Sequence, residues 1–197
     1  VTGRVQNLLS FAVVTYFFVI LGLLEVNETR QRLKGLAGSP IGEILLHAGA
    51  DIAAKLQKYM LVRSLVSILT GVFVWGFAYV MGLDLALEWG VIAFALNYIP
   101  VIGPLVATLL PTIFAIAQFE SWQVGVTVFL GLNLIQFLGG SCLEPRIAGT
   151  ALSISPFMVL LAVIFWGFMW GIAGAFVGVP ILIAFTTFCE QHPPSQW

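Results

Sequence analysis

Long apolar runs follow one another along most of this chain, and they limit what it can fold into. The runs at 61–81 and 124–140 have about the length that a helix needs to cross a hydrocarbon layer of roughly 30 Å. The 197 residues are 60% hydrophobic and 9% charged, whereas soluble domains are roughly 45–50% apolar and about 25% charged. A soluble protein of this size could not bury so much apolar surface. The sequence therefore predicts an all-α polytopic membrane protein, a bundle of transmembrane helices in the lipid bilayer.

Several functional classes are excluded by composition and by missing motifs. The net charge of −1 provides no basic surface for nucleic acid. The sequence contains no HExxH, G-x-S-x-G or P-loop pattern, so we predict neither an enzyme nor a bound cofactor or metal. The two cysteines, Cys142 and Cys189, lack metal-site or CxxC spacing and are interpreted as apolar fillers.

The apolar runs and the charges divide the chain into a membrane core and flanking parts. The predicted segments are a transmembrane span at 1–24, an amphipathic arm at 25–60, a permease core at 61–189 and a tail at 190–197. Within the core, the predicted spans are 61–81, a broken pair at 89–119, 124–140, 152–170 and 171–189. The last two are predicted to form a C-terminal helical hairpin.

The arm at 25–60 combines charge with a helical apolar stripe. After the helix-start signal Ser39-Pro40, apolar residues recur every three or four positions from Ile41 to Tyr59. Six of the eight Lys and Arg residues lie between Arg30 and Arg63, which places the arm on the cytoplasmic side by the positive-inside rule. A solvated connector helix is the alternative interpretation.

The stretch LNYIPVIGPLVATLLP, at 96–111, is apolar yet carries three prolines and a glycine. Proline inside a helix removes a hydrogen-bond donor and costs about 3 kcal/mol. Irregular backbone at membrane depth is tolerated only beside protein or a water-filled cavity, and such breaks are typical of transporter sites. We predict a proline-broken re-entrant hairpin whose break lines a solute path. The alternative is a packing hairpin in which Asn97 caps freed carbonyl groups. The candidate path residues at the break are Asn97, Tyr98, Pro100, Gly103 and Pro104.

Two further polar pairs lie near the predicted spans. Asn133 and Gln136 are three residues apart and share a helix face, where they either join helices or line the substrate path. Glu144 and Arg146 flank Pro145 and are either interface charges or an ion-pair gate at the inner mouth. Both pairs are candidate functional residues.

Glycines recur every four residues in the last apolar run. The pairs Gly167-x-x-x-Gly171 and Gly174-x-x-x-Gly178 provide smooth surfaces for close helix approach. We predict that they pack the C-terminal hairpin, which turns near 171–174.

Three sequence blocks resemble the autoinducer-2 exporter-like permease family. The block NYIPVIGPLVATLLP resembles its N-[FY]-I-P-x-[IV]-G pattern, and LEPRIAGTALSISPFMVLLAVIFWGFMWGIAGAFVGVPI resembles its E-P…S-P…W-G…V-P block. YMLVRSLVSILTG is similar to the segment that leads into the preceding span. The blocks have matching order and spacing from about Lys55 to Phe188.

The resemblance implies a permease of the bacterial inner membrane that exports a small polar signal such as autoinducer-2 and assembles as a homo-oligomer. It also implies that the chain corresponds to the C-terminal part of a longer protein. Two alternatives remain, namely a sodium/proton-type cation antiporter and a non-transporting oligomeric scaffold. The scaffold predicts a dry break with Asn97 satisfied, whereas the permease predicts a polar cavity at the break.

Overall fold

The computed structural model describes residues 13–26, 28, 31, 40–148 and 155–190, with backbone alone at 40–45, 145 and 148. The chain divides into two compact units, Val1–Ala50 and Asp51–Trp197. No strand occurs in the described ranges. The predicted segments at 1–12, 149–154 and 191–197, and most of the arm at 27–39, lie outside the description.

Seven helices are described, and short turns join most of those in the second unit. They are α1 Val13–Val26, α2 Pro40–Val80, α3 Ala86–Leu96, α4 Ile102–Phe119, α5 Trp122–Phe137, α6 Glu144–Ala148 and α7 Pro156–Glu190. A π-helical segment, Leu138–Leu143, connects α5 directly to α6.

Four helical stretches are long and apolar enough to cross a membrane, counted within the described residues. They are Leu46–Val80, Ile102–Phe119, Trp122–Leu143 and Pro156–Glu190. The prediction of an all-α polytopic membrane protein is therefore confirmed. Because α2 continues without interruption from Pro40 to Val80, the end of the predicted arm and the predicted span at 61–81 form one helix.

The predicted apolar face of the arm can be followed on α2 from Asp51 onwards. Ile52 and Leu56 are half-buried and Tyr59 is buried, whereas Asp51 and Gln57 are exposed. This alternation fits the three-to-four residue period on which the prediction was based.

Helices α3 and α4 form the predicted proline-broken hairpin. The ring centroids of Trp89 and Phe114 lie 5.4 Å apart, and Ala93 and Ala107 are buried in the same apolar cluster. With 11 residues, α3 is about 16 Å long and too short to cross a bilayer. The hairpin packs closely against α2, because an added Cβ at Gly90 of α3 would lie 2.7 Å from Cβ of Trp75 of α2.

The second hairpin lies within α7, which turns at Gly171 (φ 66°, ψ −145°). An added Cβ at Gly174 would lie 1.8 Å from the Trp166 carbonyl oxygen, and one at Gly178 would lie 3.0 Å from that of Ala162. The two arms of α7 therefore run antiparallel in backbone contact. The two arms share an apolar cluster with Tyr59 of α2 and Ile99 of the α3–α4 break. Its α7 members are Val163, Ala175, Val179 and Ile183.

Candidate functional site

The proline break occupies the turn between Leu96, where α3 ends, and Ile102, where α4 begins. Pro100 has no N–H to donate, so the turn is closed by bonds on either side of it. The Ile99 N–H donates to the Leu96 carbonyl at 2.9 Å, and the Gly103 N–H donates to the Ile99 carbonyl at 3.0 Å. Gly103 is required here because an added Cβ would lie 1.8 Å from the Leu96 carbonyl oxygen.

Val101 adopts a strained conformation at the centre of this turn. Its φ of 67° and ψ of −57° are those of a γ-turn with positive φ. The Ile102 N–H donates across it to the Pro100 carbonyl at 2.8 Å. Positive φ is unfavourable for a β-branched residue, and such strain persists only where surrounding contacts hold the backbone.

Those contacts come from polar side chains on α2. The buried Asn97 amide donates from Nδ2 to Ser67 Oγ at 3.2 Å. One turn earlier on α2, Ser64 Oγ accepts a hydrogen bond of 2.8 Å from the Tyr98 hydroxyl. Serines three residues apart lie on one helix face, so two side chains of the break meet the same side of α2.

The Tyr98 ring extends the contacts of the break to a third part of the bundle. It meets Phe94 edge to face, with ring centroids 5.7 Å apart. It stacks on Phe176 of α7 at 5.5 Å. The hydroxyl and ring of one residue thus connect the break to both α2 and α7.

The α2 face that receives the break also carries a buried charge. Arg63 is 6% exposed, Ser67 0% and Thr70 2%. We call Arg63, Ser64, Ser67 and Thr70 the polar column. Its hydroxyl groups and its guanidinium group are surrounded by apolar helices, an arrangement that is costly unless the groups are paired.

Glu144 pairs with Arg63 of the polar column and not with Arg146. Arg63 Nη1 donates to both carboxylate oxygens of Glu144, at 2.9 and 2.8 Å. Arg146 is exposed. The sequence-based pairing is therefore corrected, because residues two apart on α6 point in different directions while Glu144 faces α2. The Arg63 side chain is 7% exposed and that of Glu144 is 32% exposed.

Asn133 and Gln136 on α5 are placed differently from each other. Asn133 is exposed and donates from Nδ2 to the Phe129 carbonyl of its own helix at 2.8 Å. Gln136 is half-buried, and its buried Nε2 has no acceptor within the described residues. The structure brings neither of them into contact with the break.

The remaining predicted residues have local roles. The Pro104 carbonyl accepts a hydrogen bond from the Thr108 hydroxyl. Gly174 and Gly178 lie at the contact of the two α7 arms, Gly167 would place an added Cβ 3.5 Å from that of Ala175, and Gly171 forms the turn. No group of three or more His, Cys, Asp or Glu side chains suited to a metal ion occurs in the described part of the chain.

The sequence interpretation did not identify the polar column. Arg63 enters the sequence interpretation only as one of the six basic residues that orient the arm, and Ser64, Ser67 and Thr70 have no assigned role in it. A signal was present, because Arg63, Ser67 and Thr70 recur at helical spacing inside an apolar run. Polar groups on one face of a transmembrane helix are expected to face the bundle interior.

Comparison with known proteins identifies the family that this chain resembles. The family model described as AI-2E family transporter matches residues 1–193. The AI-2 transport protein TqsA of Escherichia coli (strain K12) is 31% identical over 194 residues, which are 98% of this chain and 55% of that protein. A putative transport protein of Borreliella burgdorferi is 33% identical over 175 residues, 88% of this chain and 48% of that protein.

A third relative, the putative transport protein YhhT of Escherichia coli (strain K12), is 33% identical over 176 residues, 87% of this chain and 47% of that protein. The chain thus spans about half the length of these relatives. A family match over nearly all residues, together with a proline-broken hairpin in an apolar bundle, gives one conclusion: the chain belongs to the AI-2E family of transporters.

Proposed function

We propose that the protein moves a small polar solute across the bacterial inner membrane, in the export direction, and that the solute passes between the α3–α4 break and the polar column. The observation that carries the proposal is the pair of inter-helix hydrogen bonds from Asn97 and Tyr98 to Ser67 and Ser64. Amide and hydroxyl groups that bond each other in a closed site can bond a polar solute when the site opens.

The candidate solute is autoinducer-2, because the relative TqsA is named an AI-2 transport protein. A small oxygen-rich molecule would exchange hydrogen bonds with the same amide and hydroxyl groups. The strained turn at Val101 supports a site that changes conformation, since strain concentrates at switch regions and ligand clamps.

The test is water accessibility in the full-length protein with Cys142→Ala and Cys189→Ala. A cysteine replaces Asn97, Pro100 or Asn133, one at a time, and a small membrane-impermeant thiol reagent is added from each side. Reaction at position 97 that autoinducer-2 slows is the expected result. The matched control is Asp84→Cys, which reports that the protein is folded and that the reagent is active.

A non-transporting scaffold is the second candidate, and the burial of Asn97 favours it. Asn97 is 5% exposed and already has a partner in Ser67. A permanently dry break would leave positions 97, 100 and 133 unreactive while position 84 reacts. That result would replace the transport proposal with the scaffold.

A cation antiporter would require a titratable carboxylate in the bundle. Glu144 is the relevant group, because it pairs with a buried arginine directly after a candidate span. Sodium- or proton-driven flux in vesicles that Glu144→Gln abolishes, without any effect of autoinducer-2, would favour the antiporter.

We propose also that copies of the protein associate through the exposed face of α5, with the arm at 25–60 in the cytoplasm. An exposed amide at Asn133 among exposed Leu130, Leu134 and Phe137 is unfavourable in lipid but can bond across a helix interface. Asn133→Leu is expected to lower the yield of cross-linked oligomer in membranes. An unchanged yield would exclude this face.

A further inference from the structure

The junction between α5 and α6 is the second irregular segment that meets the polar column. Six residues, Leu138–Leu143, are wound as a π-helix, and α6 follows at once. A π-helical turn contains one more residue than the α-helical turn it replaces, and such turns are frequent at functional sites. The segment is therefore a place where helical register can change by one residue.

The π-helical segment touches the polar column at a glycine. An added Cβ at Gly139 would lie 2.9 Å from Thr70 Oγ1, so the backbone of the segment lies directly against α2. At Gly140 the same construction meets nothing within 4 Å. One of the two adjacent glycines is thus required by contact, and the other faces open space.

The Arg63–Glu144 ion pair that follows the segment uses only one nitrogen of the guanidinium group. Both carboxylate oxygens of Glu144 bond to Nη1 of Arg63, whereas the strongest arginine–carboxylate pairs use two nitrogens in parallel. Arg63 Nε is buried and has no acceptor within the described residues. A buried charge with an unused donor is stabilised only in part by this partner.

A small apolar contact also attaches α6 to α2. Ile147 packs against Val62 and Val66, which are 3% and 1% exposed. Among the side chains that the structure describes, one ion pair and one apolar contact hold this short helix against α2, which is few. Segments with few buried contacts open at low free-energy cost.

From these contacts we infer that residues 138–148 form a gate, latched by the Arg63–Glu144 ion pair, which opens when the π-helical turn rewinds as α-helix. Rewinding displaces each later residue by one position, about 100° round the helix axis. Glu144 then leaves Arg63, Ile147 leaves Val66, and water reaches the polar column. The inference rests on the proposed transport function, because the polar column lines the proposed solute path.

The gate can be measured without any solute. In the full-length protein with Cys142→Ala and Cys189→Ala, Val66→Cys places a thiol under Ile147. The reaction rate with a small membrane-impermeant thiol reagent reports how often α6 leaves α2. Adding Glu144→Gln is expected to raise this rate about tenfold, because the unpaired guanidinium group favours the hydrated, open state.

Two controls separate opening of the gate from general loosening. Val74→Cys lies on the same helix at 0% exposure, in the cluster with Ala78 and Ala93. Its rate is expected to stay unchanged when Glu144→Gln is added. Arg146→Gln removes a charge of α6 that lies outside the pair and is expected to leave the rate at position 66 unchanged.

The register change has its own matched pair of variants. Deletion of Gly140 removes the additional residue and is expected to raise the rate at position 66 as Glu144→Gln does. Gly140→Ala keeps the length, adds a methyl group to open space and is expected to have no effect.

Equal rates at position 66 with and without Glu144→Gln would overturn the gate and make the ion pair a fixed attachment. A parallel rise at positions 66 and 74 would also overturn it, since the pair would then support the whole bundle. Either result would leave the transport proposal standing if autoinducer-2 still slows the labelling of position 97.

Discussion

The two helical hairpins of the second unit reverse the chain direction in different ways. In the α7 hairpin the turn residue is Gly171, whose φ of 66° is accessible to glycine, and the arms meet through Gly174 and Gly178. In the α3–α4 hairpin a valine takes the positive φ, and side-chain hydrogen bonds to α2 hold the turn. The first hairpin is built from unstrained close packing, and the second combines strain with polar contacts.

We propose that this difference separates a structural hairpin from a functional one. Strain and buried polar groups both lower stability, so a turn that keeps both has a role besides connecting two helices. A larger difference between the two hairpins in how substitutions change the free energy of unfolding would strengthen the case that the break changes conformation.

The largest expected effect is on stability, and it is shared by the two hairpins. Gly103→Ala and Gly174→Ala each place a Cβ 1.8 Å from a backbone carbonyl oxygen, and a backbone atom cannot move aside cheaply. We expect each to destabilise the fold by about 3 kcal/mol, measured from the thermal unfolding of the purified full-length protein.

Gly167→Ala is the matched control, because its Cβ would make an ordinary contact of 3.5 Å with that of Ala175. Its unfolding midpoint is expected to stay close to that of the unchanged protein. If Gly103→Ala were as mild as this control, the break would already be loosely packed.

The next effect is specific to the α7 turn. At Gly171 an added Cβ meets nothing within 4 Å, so substitution by alanine acts only through the backbone conformation. We expect Gly171→Ala to destabilise by about 2 kcal/mol, since φ 66° with ψ −145° is a region open essentially to glycine. Gly140→Ala, with equally open space but a helical backbone, controls for the methyl group.

Val101→Gly is expected to act in the opposite direction. It relieves the strain of positive φ, worth about 1–3 kcal/mol, against an entropy cost for glycine of about 0.5–1 kcal/mol. The net expectation is a stabilisation of about 1 kcal/mol in thermal unfolding. Because the closed turn would then be favoured, the proposed solute export by the full-length protein is expected to become slower. A destabilised Val101→Gly protein would mean that the valine side chain contributes more than its backbone costs.

The membrane class, the broken hairpin and the α7 hairpin could be predicted from the sequence because each depends on local signals. Pro100 and Pro104 with Gly103 between them indicate a break, whereas the single prolines Pro111 and Pro180 lie inside α4 and α7. Glycines at four-residue spacing indicate close helices. The fold class follows from the composition together with the length of the apolar runs.

The residues that Glu144 and Asn97 contact could not be predicted, because they are distant in the sequence. Glu144 meets Arg63 across 81 residues, and Asn97 meets Ser67 across 30. The sequence suggested Arg146 as the ion-pair partner of Glu144 because it is only two residues away. The direction in which Glu144 points depends, however, on the π-helical turn before it. That turn lies against α2, with an added Cβ at Gly139 only 2.9 Å from Thr70 Oγ1, and this contact exists only in the packed bundle.

The smallest expected effect tests the polar contact that most separates the two hairpins. A double-mutant cycle of Asn97→Ala with Ser67→Ala is expected to give a coupling energy of about 0.6 kcal/mol, typical of hydrogen bonds between membrane helices, and at most about 1.7 kcal/mol. The cycle of Asn97→Ala with Ser64→Ala is the control, because Ser64 bonds Tyr98 instead. It is expected to give a coupling near zero. Equal coupling in both cycles would mean that the two serines act as one packed surface rather than as separate partners. The break would then be held by packing, as the α7 hairpin is, and the contrast between the hairpins would rest on the strain at Val101 alone.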